Sequence, residues 1–390
     1  MNLNAVQQYL IDHNLDGWLM ADFHGRNEIA VRFLGIDGML TRRAFYFIPA
    51  EGEPTALINP VEATKFDQLV GRKIRYRGYA GLETELSKLL SGQKKIAMEY
   101  SAKGRLPYIG LVEAGTIELV RESGVEIVSS ADMVAAFQAR LSPDQIESHR
   151  RAAKLVVETK VEAFARIADA VASGERITEY DVSEFILERF KAKGMITDHP
   201  PNCSVDKNAG DGHYQPTEGS CVPIVKGSLV LIDLWARFPD DNGTYADITW
   251  IAFAGTRDEI PAEYVEKFEV ITKARDAAVS FINDNLSRQP VHGCDADDAC
   301  REVIEQAGYG ELFTHRTGHS IGIDVHGVGP NIDNMETEDN RILQPGHLFS
   351  IEPGVYTDTF GLRTEIDCLI TEKGAEVTTL PLQSEIIALF

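Results

Sequence analysis

The chain is expected to fold as a mixed α/β (α+β) protein of two domains, residues 1–138 and 139–390. Three features predict this. Short apolar runs alternate with helical patterns in the first part, long amphipathic helices begin near residue 142, and the second part carries an internal repeat of glycines and carboxylates. A chain of 390 residues is also too long for one ordinary core and suits domains of about 150 residues.

In the first domain, residues 3–13 read as a helix. Gly17-Trp18-Leu19-Met20, Ala44 to Ile48, Thr55 to Ile58 and Lys95 to Met98 are apolar runs of strand length. Pro49, Gly52, Pro54 and Pro60 separate them. No cluster of potential ligands occurs here, and His24, Arg42 and Arg43 read as surface or partner-contact residues.

The boundary falls at Leu141-Ser142-Pro143-Asp144, where Ser142 suits an N-cap and Pro143 a first helical residue. Ala153, Val157, Val161, Phe164, Ala168 and Val171 then recur at steps of three and four, giving one apolar helical face that Gly174 can end. Thr178-Glu179-Tyr180-Asp181 resembles a capping box and opens a second helix. A third starts at Pro261 and a fourth runs from Asp295 to about Ala307.

Charge narrows the function. With 38 basic against 60 acidic residues the net charge is −22, which argues against binding nucleic acid or an anionic membrane surface. No apolar run approaches the ~18 residues needed to cross a bilayer. The start, Met1-Asn2-Leu3-Asn4, lacks a basic segment, so no leader and a cytoplasmic location are expected. Cys203, Cys221, Cys294, Cys300 and Cys368 form no CxxC pair and read as reduced thiols.

The repeat carries the chemistry. Gly227-Ser-Leu-Val-Leu-Ile-Asp233 is followed by a loop over 234–242 and then Gly243-Thr-Tyr-Ala-Asp247. Gly346-His-Leu-Phe-Ser-Ile-Glu352 is followed by a loop and then Gly361-Leu-Arg-Thr-Glu365. In each copy one carboxylate falls six residues after a glycine, and a second falls four residues after another glycine. Both copies read as β-hairpins with an acid on each strand. Related by a pseudo-twofold axis, they would gather four carboxylates, whose mutual repulsion calls for divalent cations.

His319, in Thr317-Gly318-His319-Ser320-Ile321-Gly322, completes a hard, oxygen-rich donor set suited to Mn²⁺, Co²⁺ or Zn²⁺. Gly318 and Gly322 are expected to allow close backbone approach. His315 lies four residues before His319, but Arg316 replaces the Glu of H-E-x-x-H and Gly318 disfavours a helix. His315, like His199, His292 and His347, is therefore read as structural.

At these residues the sequence resembles the pita-bread metallopeptidases: Xaa-Pro aminopeptidases, Xaa-Pro dipeptidases (prolidases) and methionine aminopeptidases. Residues 1–138 resemble the creatinase-type N-terminal domain and 139–390 the catalytic domain. The resemblance implies that Asp233 chelates one metal ion, His319 with Glu352 a second, and that Asp247 and Glu365 bridge both. Two departures stand out: the 234–242 loop is longer than the family's usual connection, and Trp250 stands where the family commonly has Arg.

The resemblance also gives roles to other residues. His213 and His326 would contact the substrate and stabilise the oxyanion, while Glu352 relays a proton from a water bridging the two ions. Arg363 would orient Asp233 or Glu365, and Tyr214 and Tyr356 would line a slot for the proline ring. The substrate would be a small peptide with Pro second, and the assembly a homodimer by analogy. No Arg follows His326 closely, since the stretch reads Gly327-Val-Gly-Pro-Asn331, and Arg341 is the next downstream. Dipeptidase and aminopeptidase specificities thus both stand; the compact catalytic domain and the likeness to small bacterial prolidases favour the dipeptidase. A creatinase-like amidinohydrolase would do without the five ligands, and a non-catalytic binding protein would be expected to lose some.

Overall fold

The computed structural model describes residues 2–212 and 214–390. His213, expected to contact the substrate, lies outside the described residues. The chain divides into two compact units, one ending at Gln138 and one spanning Ala139–Phe390.

The first unit is a six-stranded sheet in the order β4-β3-β2-β1-β5-β6. Its strands are β1 (Gly17–Asp22), β2 (Ala44–Pro49), β3 (Thr55–Ile58), β4 (Arg72–Arg75), β5 (Lys95–Met98) and β6 (Glu126–Ser129). The first three pair antiparallel, while β4, β5 and β6 join in parallel. Helices α1 (Leu3–Asp12), α2 (Glu28–Leu34), α3 (Gly78–Leu89), α4 (Ala114–Arg121) and α5 (Ala131–Phe137) accompany it. All six residues of β1 are buried, as expected of a strand covered on both faces. Burial removes the alternation that usually marks a strand, so β1 reads as a continuous apolar run. β4, by contrast, is Arg-Lys-Ile-Arg; such charge suits an exposed edge and hides the strand from a hydrophobicity reading.

Glu99 is fully buried in this unit. Its carboxylate accepts from Trp18 Nε1 at 2.6 Å, Asn27 Nδ2 at 2.7 Å and Ser130 Oγ at 3.1 Å. Burial raises its pKa despite these three donors.

The second unit opens with α6 (Pro143–Ser173). Ser142 and Gln145 form a capping box, Pro143 sits in the first turn, and Gly174 closes the helix at φ 75. α7 (Glu179–Ala192) is capped by Thr178 with Asp181. Strands β7 (Asn202–Val205), β8 (Leu229–Ala236) and β9 (Ala246–Phe253) form a sheet that the short β15 (Ile387–Ala388) extends. After α8 (Ala262–Asn285) and α9 (Gly293–Gln306) come β10 (Leu348–Ile351), β11 (Gly354–Tyr356), β12 (Gly361–Arg363), β13 (Ile366–Thr371) and β14 (Gly374–Val377).

The period of two in β8 decides which side chains meet. Val230, Ile232, Leu234 and Ala236 pack in one core with residues of α6 and α7. Leu229 and Leu231 pack in the other, with residues of α8, α9 and the second hairpin. Asp233 shares the second phase. In β9, Ile248, Trp250 and Ala252 join the first core and Ile251 and Phe253 the second, so Asp247 and Thr249 share the phase of Asp233.

Two details differ from the sequence reading. Residues 234–236 continue β8 rather than beginning a loop, because Leu234 and Ala236 keep the buried phase. The second hairpin is broken on both strands, into β10 and β11 and into β12 and β13. Pro353 has no N–H to continue the ladder after Glu352. Trp250 points away from the acids, with Lys160 Nζ 3.3 Å from its ring centroid, a cation–π contact inside the helix-facing core. Burial lowers the Lys160 pKa to about 8.

Glu99→Ala would leave three buried donors unsatisfied, so a destabilisation of about 2–4 kcal/mol is expected. Calorimetric unfolding of the intact chain measures it as a lowered transition.

Candidate metal centre

Asp247, His319 and Glu365 are buried, and each offers a ligand atom within 4.8 Å of the others. His319 Nε2 lies 3.7 Å from Asp247 Oδ2 and 3.5 Å from Glu352 Oε1. Arg363 Nη2 is paired with Asp233 Oδ2, and its Nε lies 3.9 Å from Glu352 Oε2. The four acids of the repeat and the His319 imidazole therefore share one neighbourhood. Asp233 and Glu352 are its partly exposed members, with side chains 17% and 14% accessible.

Local backbone bonds place each ligand. Asp233 is opposite Thr249 and Asp247 opposite Trp235 in the β8–β9 register. The Glu365 N–H donates to Thr249 O at 3.1 Å, and the Asp247 N–H to Asp367 Oδ2 at 3.0 Å, so the two hairpins are tied at their acids. Thr249 Oγ1 donates to Glu365 Oε2 at 2.7 Å and accepts from Arg363 Nε at 3.0 Å. His319 follows Gly318, where a Cβ would fall 1.9 Å from Ser350 O, so only glycine fits this approach. Gly322 has no such demand, because a Cβ there would meet nothing within 4 Å.

The proton inventory favours a cation. His319 Nδ1 lies 3.2 Å from Ser320 O; a carbonyl only accepts, so Nδ1 carries the proton and Nε2 presents a lone pair. Burial, then His326, push the His319 pKa down to about 3, so the ring is neutral near pH 7. Its lone pair faces carboxylate oxygens at distances too long for hydrogen bonds, yet within reach of an ion bound at ~2.0–2.2 Å. Asp247 Oδ1 is buried with no hydrogen-bond partner among the described residues. The donor set thus fits a divalent metal.

Burial raises Asp233 to about 6, with Glu352 adding to the rise and Arg363 opposing it. Burial first, then neighbouring carboxylates, raise Asp247 and Glu365 well above their usual range. Burial also pushes Glu352 up, but surrounding cationic groups outweigh it and hold this acid low. The pull comes from His319, then Arg363, His315 and Arg316.

Other expected residues lie nearby or apart. The exposed His326 ring meets His319 edge-on, centroids 4.3 Å apart. Tyr356 Oη lies 3.4 Å from Arg363 Nη1 and 2.7 Å from His315 Nε2. His315, read from the sequence as structural, is half-buried and supports this network. Tyr214 instead donates to Glu179 Oε2 at 2.5 Å and lies 3.3 Å from Ser220 O, away from the five candidate ligands in its hydrogen bonding. Arg363 holds Asp233, one of the two partners expected for it.

Residues 147–372 match the model of metallopeptidase family M24. The chain belongs to this family. It is 33% identical to the Xaa-Pro dipeptidase of Pyrococcus furiosus over 157 residues, 40% of this chain and 41% of that one. The crystal structure of dipeptidase PepE from Mycobacterium ulcerans superposes with a TM-score of 0.74 at 21% identity, covering 99% of this chain and 96% of that one. The X-Pro aminopeptidase from Thermotoga maritima gives a TM-score of 0.64 at 20% identity, covering 99% of both chains. These structures share the expected fold, an N-terminal α/β domain before a pita-bread domain. The matches to the first four curated relatives span 60%, 69%, 48% and 64% of those proteins' lengths.

The raised carboxylates stabilise the cation-free fold below their unfolded pKa values. They withdraw that contribution as pH rises through the folded values, near 6 for Asp233. Cation binding needs the ionised forms and strengthens over the same rise. Chelation should therefore lower the melting temperature more at about pH 7.5 than at about pH 5. In Asp247→Ala the bound metal measured by mass spectrometry should fall and this gap should shrink.

Proposed function

We propose that this chain is a metal-dependent exopeptidase that hydrolyses the Xaa-Pro bond of dipeptides, with two divalent ions held by Asp233, Asp247, His319, Glu352 and Glu365. The observation that carries this reading is the convergence of a neutral imidazole and four carboxylates with too few protons and one Arg363 among them. Membership of family M24 supports the hydrolytic class.

When bound, the ions supply Lewis acidity and lower the pKa of a coordinated water. The chain's own residues do the rest. Glu352 is held low in pKa and is partly exposed, so its carboxylate can take a proton from the nucleophilic water. Ser350 Oγ, 3.2 Å from Glu352 Oε1, steadies it. His326, which meets His319 edge-on, keeps an accessible edge, and partial desolvation of its ring, then Arg316, lowers its pKa. Its neutral ring can donate an N–H to the carbonyl oxygen as negative charge develops there. His213 serves the substrate similarly in this reading. Tyr356, held by His315 and Arg363, offers an aromatic edge to the proline ring.

An Xaa-Pro aminopeptidase acting on longer peptides is the second reading. It is favoured by Arg341, the downstream arginine that could have received a substrate carboxylate. Arg341 is fully buried and makes a two-point contact with Asp339.

Hydrolysis of Xaa-Pro dipeptides but not of Xaa-Pro-Yaa tripeptides, measured on one purified metal-loaded preparation, is the expected outcome; efficient tripeptide cleavage would favour the aminopeptidase. His326→Ala should lower kcat by roughly 10²–10³ while the metal content stays near wild type.

A further inference from the structure

The face of β8 that carries Asp233 continues beyond it. Side chains alternate along a strand, so Trp235, two residues on, shares the phase of Leu231 and Asp233. In the β8–β9 register Trp235 stands directly opposite Asp247, and such pairs hold their Cβ atoms roughly 5 Å apart on one face. The indole therefore rises beside a candidate ligand. Of the three tryptophans, Trp18 and Trp250 are buried, at 0% and 7% exposure, whereas Trp235 is only half-buried. Part of its large apolar surface is left for a ligand to cover.

Its neighbours define what it can recognise. The Nε1–H donates to Asp198 Oδ1 at 2.8 Å, which fixes the ring and uses its single donor. The other Asp198 oxygen lies 3.2 Å from His199 Nδ1. Trp235 packs against a cluster of Tyr245, Ile321, Leu348 and Leu369, to which Val325 also belongs. Ile321 lies two residues after His319, and Val325 immediately precedes His326. The indole thus sits among aliphatic and aromatic side chains near the two imidazoles. Tyr356 belongs to a different row of the sheet. Its Oη lies 3.4 Å from Arg363 Nη1, and Arg363 Nε donates to Thr249 Oγ1 at 3.0 Å. Thr249 pairs with Asp233, two residues along the strands from the Trp235–Asp247 pair.

We propose that Trp235 is a specificity-determining residue, whose indole face covers the side chain of the substrate's N-terminal residue and selects dipeptides in which that residue is large and apolar. The assignment rests on the peptidase reading above, which gives the proline ring to Tyr356 and so leaves the Trp235 row to the residue on the other side of the scissile bond. With its N–H occupied, the ring offers a polar side chain no hydrogen bond and gains from apolar contact. A glycine in that place would leave the indole uncovered.

The test compares Leu-Pro with Gly-Pro on the full-length metal-loaded protein. Wild type should favour Leu-Pro by roughly 10- to 100-fold in kcat/KM, the range for burying one aliphatic side chain. In Trp235→Ala that ratio should fall close to one, whereas Trp235→Phe, which keeps an aromatic face, should retain most of it. Lost packing alone would slow both dipeptides alike and leave the ratio where it was. A binding measurement on wild type decides the matter if Trp235→Ala does not fold. L-leucine should shield the accessible share of the tryptophan fluorescence from acrylamide and glycine should not; with Trp18 and Trp250 buried, that share belongs to Trp235. A wild type that cleaves both dipeptides equally well, a Trp235→Ala protein that keeps the ratio, or quenching that leucine leaves unchanged overturns the assignment and leaves the peptidase reading standing. Cleavage of neither dipeptide by wild type overturns the peptidase reading, and this assignment with it.

Discussion

A neutral imidazole that faces carboxylates to which it cannot donate is the constraint on which the second unit turns. His319 gives its proton to Ser320 O, so Nε2 can only accept, yet carboxylate oxygens of Glu352 and Asp247 lie 3.5 and 3.7 Å away. Protonating the acids would relieve the repulsion, and burial does push Asp247 and Glu365 that way. It would not by itself give buried Asp247 Oδ1 a partner. A divalent cation satisfies the lone pair, the orphaned oxygen and the charge excess at once.

The fold meets this constraint by fixing register rather than by local geometry alone. Asp233, Asp247 and Thr249 share one face of the β8–β9 hairpin, and a slip of one residue would turn Asp233 into the helix-facing core. The bonds from Asp247 N to Asp367 and from Glu365 N to Thr249 O lock the hairpins together at the ligands. Thr249 sits at the junction, serving Glu365 and Arg363 with one hydroxyl.

The convergence of the four acids was legible in the sequence because strand-borne acids recur at fixed offsets from glycines, and a hairpin converts those offsets directly into position. The helices of the second unit were legible through their caps, as at Ser142 and Thr178. What escaped was set by contacts between distant segments. His315 was read as structural, but the partner it holds, Tyr356, lies 41 residues away and no local spacing points to it. The reach of Arg341 was not legible in the sequence; Asp339, two residues earlier, holds it. β4 escaped because an edge strand's charges mask its periodicity.

Charge arithmetic links the number of ions to the kind of substrate. Four carboxylates opposed by Arg363 and one divalent ion would leave the centre with a single negative charge. Two ions would leave a single positive charge instead. A dipeptide brings a carboxylate close to the scissile bond, and negative charge also grows on the carbonyl oxygen in the transition state. A net negative centre would repel both. The proposed dipeptide reading therefore goes with two ions rather than one, because only the second ion reverses the sign of the charge that the substrate's carboxylate meets.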